Sequence, residues 1–405
     1  MLYFTGATAL TVLIAFISQK ISRKKVLCFF LAAIPLFLLS AIRWNVGMDT
    51  WHTYTPEYLA VKADSGSVTE EEKGIIENCG KALWILYHGH GEEESITYET
   101  AQRSFSTNFG HTAVLFRGLE RLLLLLNADV QWLYVITSAI IVALSFATIL
   151  KQSDDPVLAS LLFVITSNYF LSMNVVSQYI AIAICLFACV YAVKRKPAAF
   201  FALILLAAGF HVSALIFIPV YWLPRLKIKP IWCAISVVVC FLLAQFMYPL
   251  LLQAIETVVP AYARYFGRSS EFEWIFLALG AAVFVAGSWY FHSEQAQNPY
   301  YRLWFYMNVL GMMALCFSGR IPFMKRINYY FAAPHFLFLP LVLKCEKKQK
   351  LRILFRIVLI LLFIAETIVA VGLLNKNAVL PYHAFFDGDR AELTEALIRH
   401  VPGLW

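Results

Sequence analysis

Long, nearly unbroken apolar runs recur along almost the whole chain. Runs of this kind predict helices that cross a bilayer, each needing roughly 20 mostly apolar residues. The alternating ten-residue segments of a membrane barrel would read differently. Spans are predicted near 2–18, 26–42, 131–150, 156–173 and 178–193, then near 231–250, 272–291, 300–317, 326–343 and 353–374. Between the two groups lies an apolar stretch, 198–223, too short for two full crossings. Gly209-Phe210-His211 interrupts its middle, which predicts a broken half-helix pair meeting at His211. Segment 111–127 carries Arg117, Glu120 and Arg121 on one face of a leucine-rich run and reads as an interfacial helix. The predicted fold class is all-α: a single polytopic transmembrane helical bundle over 1–405, with about ten spans.

Composition agrees. Apolar residues make up 60% of the chain and charged residues 14%, with mean hydropathy +0.69, where a soluble domain carries about 25% charged residues. The net charge of +8 changes the picture only in detail. Much of it sits in short loops, at Lys20–Lys25, Lys194–Lys196, Arg225–Lys229 and Lys344–Arg352. There it sets orientation by the positive-inside rule and does not point to nucleic acid. These clusters share the cytoplasmic side if 198–223 enters and leaves by one face. The long extracytoplasmic loop 43–111, the stretch 251–271, the loop 318–325, the extracytoplasmic tail 375–405 and both termini then lie outside a plasma membrane. The run Leu2–Ile17 has its basic residues after it, so it reads as a first span and not a cleavable signal. The acidic part of the outer loop, 62–107, reads as a small lid or a mobile loop. The cysteines show neither disulfide nor metal spacing, and six of the eight lie in apolar runs. His88 and His90 beside Glu92–Glu94 read as a solvated loop, and no cofactor motif is found.

Polar residues at membrane depth are costly and mark candidate chemistry. The densest group is Arg43-Trp44-Asn45-Val46-Gly47-Met48-Asp49-Thr50, followed by His52, Tyr54, Glu57 and Tyr58. Arg43 reads either as a snorkelling side chain in an aromatic belt or as an anion holder, with Asp49 receiving sugar hydroxyls or a proton. Asn174, Ser177 and Gln178 form a polar turn that suits either a sugar or helix–helix hydrogen bonds. His211, with Ser213, sits at the break of the half-helix pair, as a structural residue or a base. Arg264, Arg268, Arg320, Lys325 and Arg326 are cations on the outward side. They suit a diphosphate head group or, alternatively, pairing with Asp49, Glu57, Glu271 or Glu273.

Ala41-Ile42-Arg43-Trp44-Asn45-Val46-Gly47-Met48-Asp49 with Tyr54 resembles the Arg-x-x-Val-Gly-x-Asp-x-x-x-x-Tyr signature of EpsG-type, Wzy-like polysaccharide polymerases. In the same order, Asn174 to Ala183 is similar to their polar turn opening a span. Gly209-Phe210-His211-Val212-Ser213-Ala214-Leu215, after the Lys194–Lys196 loop, resembles their Phe-His-x-Ser-Ala segment. Arg326-Ile327-Asn328-Tyr329-Tyr330-Phe331 resembles their late Arg-x-x-x-Tyr-Phe stretch. The resemblance covers about 40 to 375. The chain departs from it with Ser177-Gln178 in place of Arg-Gln and Asn108-Phe109-Gly110-His111 in place of a Glu-Pro-rich segment. The resemblance implies a membrane-embedded glycosyltransferase that moves oligosaccharide units from a polyprenyl-diphosphate carrier on the outer face, for exopolysaccharide, capsule or O-antigen, with no metal or cofactor. Arg43, Asp49 and His211 would be catalytic, and Arg264, Arg268, Arg320 and Arg326 would bind diphosphate. Asn174, Gln178 and Tyr54 would orient sugar. Expected partners are the lipid-linked oligosaccharide, the bilayer, and a flippase and chain-length regulator of the same pathway. A transporter of lipid-linked glycan and an outer-face ligase or acyltransferase are the rival readings.

Overall fold

The computed structural model describes residues 1–20, 25–89, 91, 93–109, 113–246, 248, 253, 257, 272–321 and 323–399. Among these residues the chain is helical throughout, and the only β pairing is an isolated bridge between Arg43 and Ala384. Four helices are long and apolar enough to cross a membrane alone: Leu2–Lys20, Gln131–Gln152, Val176–Val193 and Gln349–Leu373. Val176–Val193 is central and almost wholly buried. Along Gln349–Thr367 only Phe363 and Thr367 are buried, and most of its Leu and Ile residues face outward. This is an all-α bundle built for an apolar solvent.

Several predicted spans are interrupted. Stretch 156–173 is two helices, Pro156–Ile165 and Asn168–Asn174, bent by 51° at Ser167, whose φ is +60°. Stretch 26–42 divides into Lys25–Leu31 and Ile34–Ala41, and 326–343 into Met324–Ala332 and His335–Cys345. Pro35 and Pro334 lie at these breaks, where a missing N–H does least harm. Backbone carbonyls near each break need partners at membrane depth, and distant side chains supply them. Thr367 Oγ1 donates to Ile165 O (2.7 Å), Asn168 Nδ2 to Ala333 O (3.3 Å), and Tyr169 OH to Leu36 O (2.7 Å). Stretch 198–223 is a helix, Pro197–Phe210, then an extended His211, then a 3₁₀ helix, Val212–Arg225, which packs back on it. Helix Val114–Leu125 crosses the break closely: a Cβ on Gly209 would meet Leu115 Cδ1 at 2.5 Å. Its inward stripe is Phe116, Glu120 and Leu123, so Glu120 points inward.

The acidic 62–107 region is largely helical where a mobile loop was one expectation. It is two capped helices, Glu70–His88 and Tyr98–Asn108. Thr69 and Glu72 exchange the reciprocal bonds of a capping box, and Glu72 also pairs with Lys62 at 2.7 Å. Helix Arg390–Ile398 of the tail packs on Glu70–His88. Arg390 bonds Glu71 (3.3 Å) and Asp129 (2.9 Å) and lies over the Trp44 ring. Loop and tail therefore form one helical layer against the bundle.

Candidate functional site

The signature stretch folds as a tight turn followed by a π-helix, Thr50–Tyr54, continuous with helix Thr55–Asp64. Such wide turns are rare and concentrate at functional sites. Asn45 (φ +50°) and Gly47 (φ +106°) are left-handed. A Cβ on Gly47 would lie 2.3 Å from Met173 O and 2.9 Å from Asn174 Cα, so only glycine permits this approach. Gly47 N donates to Ala378 O (2.9 Å) and Asp49 N to Asn174 Oδ1 (3.1 Å). Three segments distant in sequence are joined at this turn.

Asp49 then meets Arg326. Arg326 Nη2 donates to Asp49 Oδ1 at 2.9 Å; the Asp49 side chain is 16% exposed and the Arg326 side chain 48%. Gln178 Nε2 donates to Arg326 O at 2.7 Å, which holds the helix that carries the guanidinium. Tyr54 OH donates to Ser177 Oγ (3.1 Å) and accepts from Ser177 N (3.3 Å). Asn174 Nδ2 reaches Asn377 Oδ1 at 3.4 Å. Asp49, Arg326, Asn174, Gln178 and Tyr54 thus form one polar cluster. Of the anion partners that Arg326 and Lys325 could take, the structure pairs Arg326 with Asp49 and Lys325 with Glu273 (2.5 Å).

Two histidines flank the pair. His52 is half-buried, and burial lowers its pKa below the ordinary 6.5, with Asp49 opposing and Arg326 assisting. His211 Nδ1 lies 2.6 Å from Ser213 Oγ, which lies 3.0 Å from Tyr330 OH. Tyr330 shares helix Met324–Ala332 with Arg326, so the break of the half-helix pair is tied to the helix that carries the guanidinium. Glu57, one turn beyond Tyr54, is buried; its Oε2 makes no hydrogen bond among the described residues, and burial pushes its pKa up to about 7.

Arg43 does not belong to the cluster. It is 1% exposed. Its Nη1 donates to Ser138 Oγ (2.9 Å) and to Ser40 O, and its guanidinium lies 4.9 Å from the centroid of the Tyr134 ring. Enclosed in this way, it ties its own helix end to helix Gln131–Gln152 and is closed off from solvent. Arg320 is exposed, 5.6 Å from the centroid of the Tyr248 ring, with no hydrogen bond to Asp49 or Arg326. Arg264 and Arg268 lie outside the described residues.

Sequence reasoning missed Asn377 and Lys376, whose only local signal is the polar trio Asn375-Lys376-Asn377 after an apolar run. It also passed over an Asp-x-Asp sequence, Asp387-Gly388-Asp389. Both carboxylates accept from backbone amides: Asp387 from Ala384 N (2.8 Å), and Asp389 from Ala391 N (2.8 Å) and Glu392 N (3.1 Å), as turn and helix caps.

Neither the curated proteins nor the solved structures contain a match to this chain. A family model, that of the EpsG family, matches residues 26–384 and so takes in the Gly47 turn, the Asn174–Gln178 turn, the His211 break and Arg326. The chain belongs to the EpsG family, of membrane proteins of polysaccharide biosynthesis.

Proposed function

We propose that this protein is a glycan polymerase that transfers oligosaccharide units from a polyprenyl-diphosphate carrier to a growing chain at the outer face of the membrane. The observation that carries the reading is the Asp49–Arg326 pair, 2.9 Å apart, with an arginine side chain half exposed. Asn174, Gln178 and Tyr54 surround it with amides and a hydroxyl of the kind that sugars bond.

In the proposed reaction an acceptor hydroxyl oxygen attacks the anomeric carbon, and the carbon–oxygen bond to diphosphate breaks. The electron pair leaves with the diphosphate, whose growing charge Arg326 stabilises by exchanging Asp49 for the phosphate. The hydroxyl proton passes to Asp49, freed from its partner, or to His211. Metal ions have no role in this scheme, because the guanidinium supplies the positive charge. Removing one such electrostatic donor commonly costs a hundredfold or more in rate.

The test is surface-glycan and lipid-carrier analysis of cells making Asp49→Asn or Arg326→Gln, with protein level in the membrane measured alongside. Single repeat units accumulating on the carrier at normal protein level is the expected result. Normal-length polymer from both variants would overturn the proposal.

A further inference from the structure

A chamber of about 100 Å³ opens between the helices. Its polar lining includes Asn168, Asn308, Asn328, His335, Glu366 and Lys376. Asn377, which accepts from Asn174, also lines it, as does Lys325, the neighbour of Arg326. His335 Nε2 is 2.8 Å from Asn308 Oδ1, and Ser167 Oγ donates to Glu366 Oε2 at 3.1 Å. So many polar groups inside an apolar bundle are costly unless something polar occupies the space.

The chamber does not end at these groups. It shares Phe276, Leu279, Glu366, Ala370 and Lys376 with a trough of about 260 Å³ between helix Trp274–Trp289 and helix Gln349–Thr367. Ile275, Leu362, Val369 and Leu374 form its outer walls and are exposed. Charge concentrates where trough and chamber meet. Lys325 and Lys376 flank Glu273, at 2.5 and 3.9 Å, and both ammonium groups lie over Phe276, at 5.7 and 5.2 Å. Lys325 and Lys376 meet Glu273 here, and Glu366, which accepts from Ser167, lines the same junction beside Lys376. A wider apolar groove of about 650 Å³ runs along the other side of Gln349–Thr367, past Phe4, Leu13 and Ile364. It shares no lining residue with the chamber, so bulk lipid chains fit it without any polar head.

We propose that the trough is the lateral portal for the donor: the polyprenyl chain lies between the two helices, with its diphosphate at Lys325 and Lys376. The inference takes from the proposed function only that the donor is carried on a polyprenyl diphosphate. An occupant with an isoprenoid tail and an anionic head matches an apolar trough that ends on two ammonium groups and a polar chamber. Arg326, next to Lys325 on helix Met324–Ala332, is then left to meet the sugar-bearing phosphate.

The test places a photoreactive benzophenone amino acid at Leu362 or Val369 in the trough, and at Leu13 in the wider groove as control. The full chain is reconstituted in liposomes with radiolabelled polyprenyl diphosphate. Labelling is expected at Leu362 and Val369 but not at Leu13. Unlabelled polyprenyl diphosphate should abolish it and phosphatidylglycerol should not. Lys376→Gln should weaken labelling roughly tenfold, as loss of one charge-assisted contact does. Equal labelling at Leu13, or equal competition by phosphatidylglycerol, overturns the portal. The readout is binding and involves no transfer, so the two ideas separate. Specific labelling with normal polymer from the Asp49 and Arg326 variants sinks the polymerase reading and keeps the portal. Absent labelling with polymer lost in those variants does the reverse.

Discussion

Glu57 offers the sharpest physical test of the region around the signature. It sits in helix Thr55–Asp64 at 7% exposure, with Oε2 unbonded among the described residues. Burial raises its pKa from 4.5 to about 7. An acid whose folded pKa lies above its unfolded one binds its proton more tightly when folded. Stability therefore falls as pH rises from 4.5 to about 7, and the whole penalty is present above that range. At about 1.36 kcal/mol per unit, the shift corresponds to roughly 3 kcal/mol. Glu57→Gln mimics the protonated group and removes the penalty. In detergent, the thermal midpoints of the two proteins should coincide near pH 4 and separate by pH 8, with the Gln variant the more stable. A gap that does not vary with pH, or a wild type more stable at high pH, would refute the argument. The first result would mean that the carboxyl is solvated, and the second that it holds a cation when charged.

Other predictions rest on neighbouring contacts. Gly47→Ala puts a Cβ 2.3 Å from Met173 O at a φ of +106°. The turn must shift off Asn174 and Ala378, so thermal stability should fall by roughly 3 kcal/mol and polymer should be lost with it; an unchanged midpoint counts against the geometry. Arg43→Lys keeps the charge but loses the Ser40 and Ser138 bonds and the face of Tyr134. Membrane level and unfolding midpoint should drop while polymer per molecule stays constant, whereas a stable but inactive variant would return Arg43 to the reaction. Arg390→Ala breaks the contacts to Glu71, Asp129 and Trp44. Limited proteolysis should then cut the tail helix severalfold faster, and an unchanged cleavage rate would show that the helix docks without it.

What the sequence discloses follows from where each kind of information resides. Apolar length is local, so the helices of the bundle can be read directly, and so can the interruption at His211, where too few residues and a Gly-Phe-His triplet coincide. The bend at Ser167 cannot be read the same way. The carbonyls near it and near the Ala333 break are satisfied by Thr367 and Asn168 from other parts of the chain, and hydropathy holds no trace of that partnership. The helix at 70–88 is a different case. Its capping box, Thr69 to Glu72, stands in the sequence, beside a run of glutamates that reads equally well as a mobile loop. Arg43 stands among chemically rich neighbours in sequence, whereas its partners in the structure, Ser40, Ser138 and Tyr134, are unremarkable residues of the predicted spans. Asp49 and Arg326 could each be named from sequence, but which carboxylate takes which cation depends on a backbone approach that only Gly47 allows. The glycine in the signature is therefore a statement about Asp49. It presses the turn onto Asn174, and so places a carboxylate against a half-open arginine 277 residues away.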